Sequence, residues 1–221
     1  MSTTRADRRR KPLVHRGEVL HCTPRFEEEA RALGYRRIAG MDEVGRGALC
    51  GPVVACAVIL GEGFDWEGID DSKRLPARRR EVYARRILET AEAVSLGAAE
   101  PREIDALNIL RATHLAMHRA LAGLLLAPDF VLVDGRDVPN LKLPHRALVK
   151  GDALSVSIAA ASIVAKVQRD REMRRLDLEC PGYGLSRNMG YGSLPHRDAL
   201  RRLGPSAIHR RSFSGTERWL F

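Results

Sequence analysis

Long apolar runs are missing from this 221-residue chain. The longest, residues 53–60 and 121–130, fall well short of the roughly 18 apolar residues that a spanning helix needs, so an integral membrane protein is not expected. Residues 1–20 hold no apolar core of secretory length, because Arg8, Arg9, Arg10 and Lys11 are followed only by a short mixed segment, and export is not expected either. The four cysteines, Cys22, Cys50, Cys56 and Cys180, show no C-x-x-C spacing and no histidines at zinc-finger distance. They read as reduced thiols of a cytosolic protein. No internal repeat is present, and the only biased segment is the basic N-terminus. Aromatic residues are scarce at 5%, yet 44% of the chain is hydrophobic, enough at this length for a core without disulfide or metal staples.

Charge is present in quantity and unevenly placed. The formal charge is +9, but residues 1–16 carry six basic and one acidic side chain, residues 17–165 carry 19 and 21, and residues 166–218 carry 12 and 6. A basic periphery around an acid-bearing middle suits a protein that attracts phosphates and holds cations at one place, although solvated charged faces give similar counts. The Arg-rich, aperiodic first twenty residues read as a disordered tail, leaving 21–221 as one domain.

Within that domain the pattern alternates. Helical spacing is expected over residues 26–33, 76–90, 103–126 and 152–178, with Asp71-Ser72 offering cap oxygens before the second of these. Strands are expected over 37–41, 53–60, 93–99, 130–133 and 146–149. Interleaved strands and helices make this an α/β protein.

Four acids stand at element ends: Asp42 and Glu43 after the first of these strands, Asp134 after Val131-Leu132-Val133, and Asp152 at the start of the long helix. Neighbours in a regular strand face opposite ways, so Asp42 and Glu43 are expected to share a site only if the chain turns there, a freedom that Gly45 and Gly47 supply. Asp134 before Gly135 also reads as a turn residue, and Asp152 as a helix cap. Brought together, however, such acids would repel one another and pay for desolvation unless a cation joined them. Hard Mg²⁺ or Mn²⁺ takes carboxylate oxygens, and a pair of such ions on a carboxylate cluster is a recurrent device for phosphoryl transfer to water.

Gly45-Arg46-Gly47-Ala48-Leu49-Cys50-Gly51 has the wrong spacing for a dinucleotide loop, and a β-branched strand follows where a helix would be needed. Two glycines around an arginine instead suit close backbone approach to a sugar-phosphate. His114 and His118, four apart on an expected helix, lack the glutamate of a zinc-protease motif and read as ordinary helix residues.

Four blocks give a resemblance. Residues 38–47, reading Ile-Ala-Gly-Met-Asp-Glu-Val-Gly-Arg-Gly, are followed by Gly51-Pro52-Val53-Val54. Then come Asp71-Ser72-Lys73-Arg74-Leu75, Val133-Asp134-Gly135, and Lys150-Gly151-Asp152 running into the small-residue stretch 157–166. With Gly190-Tyr191-Gly192-Ser193, His196, Gly204-Pro205 and His209-Arg210-Arg211-Ser212-Phe213, the chain resembles ribonuclease HII over about residues 37–213.

The resemblance implies a ribonuclease H-like fold: a central mixed sheet flanked by helices, with a C-terminal helical extension from about residue 180. It implies hydrolysis of RNA paired with DNA and nicking 5′ of single ribonucleotides embedded in duplex DNA, leaving 3′-hydroxyl and 5′-phosphate ends, in ribonucleotide excision repair and DNA replication. It makes Asp42, Glu43, Asp134 and Asp152 catalytic ligands of Mg²⁺ or Mn²⁺, two ions with substrate bound. Gly45, Arg46 and Gly47 become the sensor of the ribose 2′-hydroxyl, and Tyr191 the ring against the sugar at the RNA–DNA junction. Arg46 and Lys166 suit phosphates. The expected partners are RNA–DNA hybrid and ribonucleotide-containing duplex DNA; the apolar tail Trp219-Leu220-Phe221 reads either as a sliding-clamp contact or, more simply, as packing onto the domain, and nothing demands more than a monomer. Met189 stands where the family usually has lysine, and Ala48 and Cys50 where it usually has proline and alanine. Competing expectations are a DNA endonuclease with similar acids and a non-catalytic nucleic-acid binder.

Overall fold

The computed structural model describes residues 22–213, together with the backbone of a short antiparallel ladder in which β1 (Val14–His15) pairs with β2 (Glu18–Val19). The rest of the basic segment expected to be disordered, and the terminal Trp219-Leu220-Phe221, lie outside the described residues.

Five strands form the main sheet: β3 (Ile38–Val44), β4 (Val53–Ile59), β5 (Ala93–Ala99), β6 (Phe130–Asp134) and β7 (His145–Leu148), in the order β5-β4-β3-β6-β7. The first three run as an antiparallel meander, while β3–β6 and β6–β7 are parallel, so the sheet is mixed. β4 reads Val-Val-Ala-Cys-Ala-Val-Ile and is buried throughout, as a central strand covered on both faces must be.

Helices α3 (Pro101–Leu107) and α4 (Ile109–Ala122) cover one face through Ile104, Ala112, Ala116 and Ala120. The other face receives α5 (Val156–Glu179), with α2 (Ala77–Thr90) packed against it and α1 (Arg25–Ala32) at its start. α5 passes close to the sheet because the small residues Ala159, Ala160 and Ala161 face it and because Gly40 has no side chain. A Cβ there would stand 2.1 Å from the carbonyl carbon of Ser157. Buried Glu27 of α1 fastens the helix start by accepting from Ser155 Oγ at 2.5 Å and from the Ser157 N–H at 2.9 Å. Beyond α5, the short α6 (Leu185–Asn188) and α7 (Leu194–Leu203) form the C-terminal helical portion, seated on Leu49, Met173 and Leu176 through Tyr183, Leu185 and Leu200.

The structure corrects several boundaries. The helix expected over 103–126 is two helices, split at Asn108, whose φ of 70° breaks the first while its side-chain oxygen caps the second. Asp152 does not open α5: it lies in a 3-10 turn (Gly151–Ala153), and Ser155 is the cap, its Oγ accepting from the Ile158 N–H. Asp71-Ser72 do not cap α2 either, since that helix begins after Pro76 without a side-chain cap and Asp71 instead accepts from the Lys73 N–H. Finally, β3 continues through Asp42 and Glu43 to Val44, so the chain does not turn at the acids.

Candidate active site

Strand lengths create the site. In the β3–β6 register Met41 stands opposite Val133, and β6 ends one residue later at Asp134, so Asp42 continues alongside the last residue of its neighbour. At such a strand end side chains from opposite faces can reach past the sheet edge. Asp42, Glu43 and Asp134 bring one carboxylate oxygen each to within 4.8 Å of one another, without a turn between the first two. Asp42 is only 4% exposed, and the Glu43 N–H donates to its Oδ1. Asp134 is held from the other side: its Oδ1 accepts from the Gly151 N–H at 2.6 Å and the Asp152 N–H at 3.4 Å. That contact brings the turn bearing Asp152 to the cluster.

The electrostatics of the cluster are adverse. Burial, followed by the charges of Asp134 and Glu43, raises the Asp42 carboxyl well above the ordinary carboxylate range. Burial first, then Asp152 and Glu43, raises Asp134 to about 6. A cation is already recruited: Lys73 Nζ lies 2.9 Å from Asp152 Oδ2. Burial works against the Lys73 charge, but the hydrogen bond and charge of Asp152, with Asp71 and Asp42 behind it, outweigh that and raise its pKa. With the Lys73 ammonium on Asp152 and the Arg46 guanidinium on Glu43, Asp42 and Asp134 have no ion-pair partner among the described residues. The donor atoms of the Asp42–Glu43–Asp134 group are all carboxylate oxygens, the hard set that suits Mg²⁺ or Mn²⁺.

A cleft of about 580 Å³ opens beside the acids, lined by Glu43, Arg46, Thr113, His114, Asp134 and Arg136 among others. Arg46 Nη1 is 3.0 Å from Glu43 Oε1, so the loop arginine faces the acids. His114, read from the sequence as an ordinary helix residue, lines this cleft, whereas His118 turns away to Pro139 O. Lys166 stands elsewhere: on α5, 2.6 Å from Asp170 Oδ1, with Arg80 on the other carboxylate oxygen.

The Gly45–Gly51 stretch is bound to the C-terminal portion. The Leu49 N–H donates to Gly190 O, the Arg210 N–H to Leu49 O, and bridges join Ala48 to Tyr191 and Cys50 to His209. The two glycines that flank Arg46 have different surroundings. Gly45, at φ +92°, makes room inward, since a Cβ there would stand 2.1 Å from Arg169 Nε, while Gly47 has open space around it. Tyr191 sits at the edge of this unit, 37% exposed.

Beneath it lies a group the sequence did not reveal: Cys50, His196 and His209, all buried. The Ser206 N–H donates to His209 Nδ1, which leaves the proton on His209 Nε2 to reach His196 Nε2 at 3.2 Å, and His196 Nδ1 meets Tyr191 O at 3.0 Å. Burial, and for His209 also the neighbouring His196, keeps both rings neutral by lowering their pKa, to about 4 at His209. Every ring nitrogen is thus satisfied without a metal.

A match to the family described as Ribonuclease HII spans residues 39–216. Ribonuclease HII of Desulfitobacterium hafniense (strain Y51) is 51% identical over 203 residues, which cover 92% of this chain and 78% of that protein. Among solved structures, ribonuclease H2 from Pyrococcus horikoshii OT3 superposes with a TM-score of 0.70 at 27% identity, covering 82% of this chain and 96% of that one. The ribonuclease HII of a PCNA:RNase HII complex from Archaeoglobus fulgidus gives 0.68 at 27% identity, over 80% and 95%.

Proposed function

The chain belongs to the ribonuclease HII family, and from that premise we propose that it hydrolyses the RNA strand of RNA–DNA hybrids and nicks duplex DNA 5′ of a single embedded ribonucleotide, leaving 3′-hydroxyl and 5′-phosphate ends. The observation that carries this reading is the convergence of Asp42, Glu43 and Asp134 at the open end of β6, with Asp152 tied to Asp134 through the backbone of its own turn.

Asp42, Glu43, Asp134 and Asp152 would hold Mg²⁺ or Mn²⁺, two ions once substrate is bound; such ions supply an activated water and neutralise charge on the leaving 3′-oxygen. Asp42, buried and central, presents its carboxylate to both neighbours and is best placed to be shared. Asp134 is oriented by the two N–H donors of the Gly151–Asp152 turn, which leaves its second oxygen for the cleft. Lys73 serves as a resident counter-charge on Asp152 and is flexible enough, at 78% side-chain exposure, to move to a substrate phosphate when the acids are neutralised. Arg46 lines the cleft, where it can take a phosphate oxygen in exchange for Glu43. Lys166, engaged by Asp170, is a weaker candidate for the same work.

The 2′-hydroxyl distinguishes a ribonucleotide from its neighbours, and the backbone around open Gly47 can approach it closely. The exposed ring of Tyr191 beside Ala48 would pack on the adjoining deoxyribose and leave no room for a second 2′-hydroxyl, favouring a junction. Contact of the terminal Trp219-Leu220-Phe221 with a sliding clamp is a weaker part of the proposal, suggested by the Archaeoglobus complex. Deleting those three residues should then weaken clamp binding; unchanged binding removes the idea.

The deciding experiment is cleavage of a DNA duplex carrying one ribonucleotide beside an all-DNA duplex, with Mg²⁺, with Mn²⁺ and with chelator. One metal-dependent nick 5′ of the ribonucleotide is expected, and no cut in all-DNA. Binding with no nick in either metal would leave a nucleic-acid binder built on a nuclease fold.

A further inference from the structure

Arg169 is the largest fully buried side chain together with Arg210, at 0% exposure in both cases. A guanidinium is costly to bury without hydrogen-bond partners, and each of the three Arg169 nitrogens finds a backbone carbonyl, from two separate stretches of chain. Its Nε donates to Pro52 O at 3.0 Å and its Nη2 to Cys50 O at 3.3 Å, both in the segment that follows Gly45-Arg46-Gly47. Its Nη1 donates to Met189 O at 2.9 Å, two residues before Tyr191. The guanidinium carbon lies 5.5 Å from the centroid of the Tyr191 ring. Along its length the side chain runs against Gly45, where any Cβ would collide with it.

One side chain thus touches the start of the loop, the end of the loop, and both the backbone and the ring of the tyrosine segment. It hangs from α5, the helix whose start is locked beside the Asp152 turn. The planar five-donor fork of arginine can serve three carbonyls and lie under a ring at once; a lysine ammonium cannot.

We propose that Arg169 is a positioning residue for specificity: it fixes the Tyr191 ring relative to the Gly45-Arg46-Gly47 loop, and so sets the preference for a lone ribonucleotide at a junction over a long hybrid. This rests on the ribonucleotide-sensing reading of that loop and ring given above. Arg169 touches no acid of the cleft in this arrangement, so loss of its fork should leave hydrolysis of long hybrid largely in place. An unbraced ring would instead lose its fit to the junction sugar, where displacements of about 1 Å are costly.

The test compares kcat and KM of wild type and Arg169→Lys on two duplexes, one with a single ribonucleotide and one with a continuous RNA strand, with Mg²⁺ present and thermal melting recorded in parallel. The expected result is a fall of about tenfold in the single-ribonucleotide to long-hybrid ratio of kcat/KM, with the long-hybrid value within about threefold of wild type. Equal losses on both duplexes, or no loss on either, would overturn the assignment, because a purely structural arginine moves both alike. Should Arg169→Lys fail to fold, Tyr191→Phe and Tyr191→Leu put the same question from the ring side. Phe keeps the face that rests on the guanidinium and should keep the ratio, whereas Leu should lose it; a ratio lost equally in both, or kept in both, overturns the proposal. Failure of the functional reading looks different: wild-type protein would then nick neither duplex, and the role of Arg169 would fall with it.

Discussion

The two halves of the site are built on opposite principles. At the open end of β6, carboxylates from β3, β6 and the Asp152 turn are gathered where their charges oppose one another, with Asp134 raised to about 6 and two counter-charges, Lys73 on Asp152 and Arg46 on Glu43. Around Gly45–Gly51 the opposite holds: the carbonyls of Arg46, Cys50, Gly51, Pro52 and Met189 are each filled by Arg169 or Arg210, and the buried histidines satisfy one another. The acid half is left electrostatically incomplete, as a cation site would be, while the half built around Arg169 and Arg210 has its carbonyls filled by the protein itself. Pre-organisation is affordable where the ligand is read by shape, whereas a metal site must keep charge uncompensated to bind at all.

The contrast is sharpest at Asp134→Asn. The amide keeps the oxygen that accepts from Gly151 and Asp152 but removes a charge, so turnover on hybrid should fall on the order of 10²–10³-fold while hybrid binding stays near normal. Single-turnover rates beside a binding titration measure it, and near-normal turnover would contradict the ligand role.

Next in size is the pair Gly45→Ala and Gly47→Ala. The first puts a Cβ at positive φ and 2.1 Å from Arg169 Nε, and should cost about 3 kcal/mol or more in denaturant unfolding. The second meets open space and should cost less than about 1 kcal/mol while impairing cleavage at a lone ribonucleotide. If both glycines prove equally tolerant, the claim that the loop is filled from behind by Arg169 is wrong.

A pH series separates the halves by sign. A carboxyl whose pKa is raised on folding contributes stability below its unfolded value and loses it as pH rises through the folded value, here from 3.8 to about 6 for Asp134. His196 and His209, lowered by burial, act oppositely, losing stability as pH falls from 6.5 toward about 4 at His209. The histidine contribution cancels between wild type and Asp134→Asn. Metal-free Asp134→Asn should therefore melt about 2–4 °C above metal-free wild type at pH 7.5, the gap closing as pH falls through about 6 and reversing when Mg²⁺ is added. A constant gap would mean the acids do not repel one another as placed.

The smallest effect is expected for Lys73→Met. Its ammonium is mostly exposed, so stability should change by less than about 1 kcal/mol, and the Mg²⁺ concentration for half-maximal rate should fall as a competitor for Asp152 is removed. A raised requirement would indicate instead that Lys73 helps to assemble the site.

Much of this was legible in the chain itself. Alternation of apolar strands with helical spacing marked the α/β architecture, and position at element ends marked four acids that the fold brings together, because hydrophobic period and terminal position are local properties. Where local signals competed, the structure chose: Asn108 broke an apolar helix pattern, and Ser155 took the capping role that Asp152 could have filled. His114, Arg136 and Lys73 entered the site unannounced, because which polar residue of a helix or loop faces a cleft depends on the neighbours packed beside it.

By itself the sequence determined the strands, the acids and the glycine-flanked arginine, since residue type and spacing decide burial, charge and backbone freedom. Only the tertiary structure decided that β3 runs straight past the end of β6, which lets adjacent Asp42 and Glu43 meet without a turn. It alone decided that Gly45 makes room for a buried arginine 124 positions along the chain. Both outcomes depend on the register of one strand and the placement of one helix against it, and those are settled by the packing of the whole core, not by any single segment.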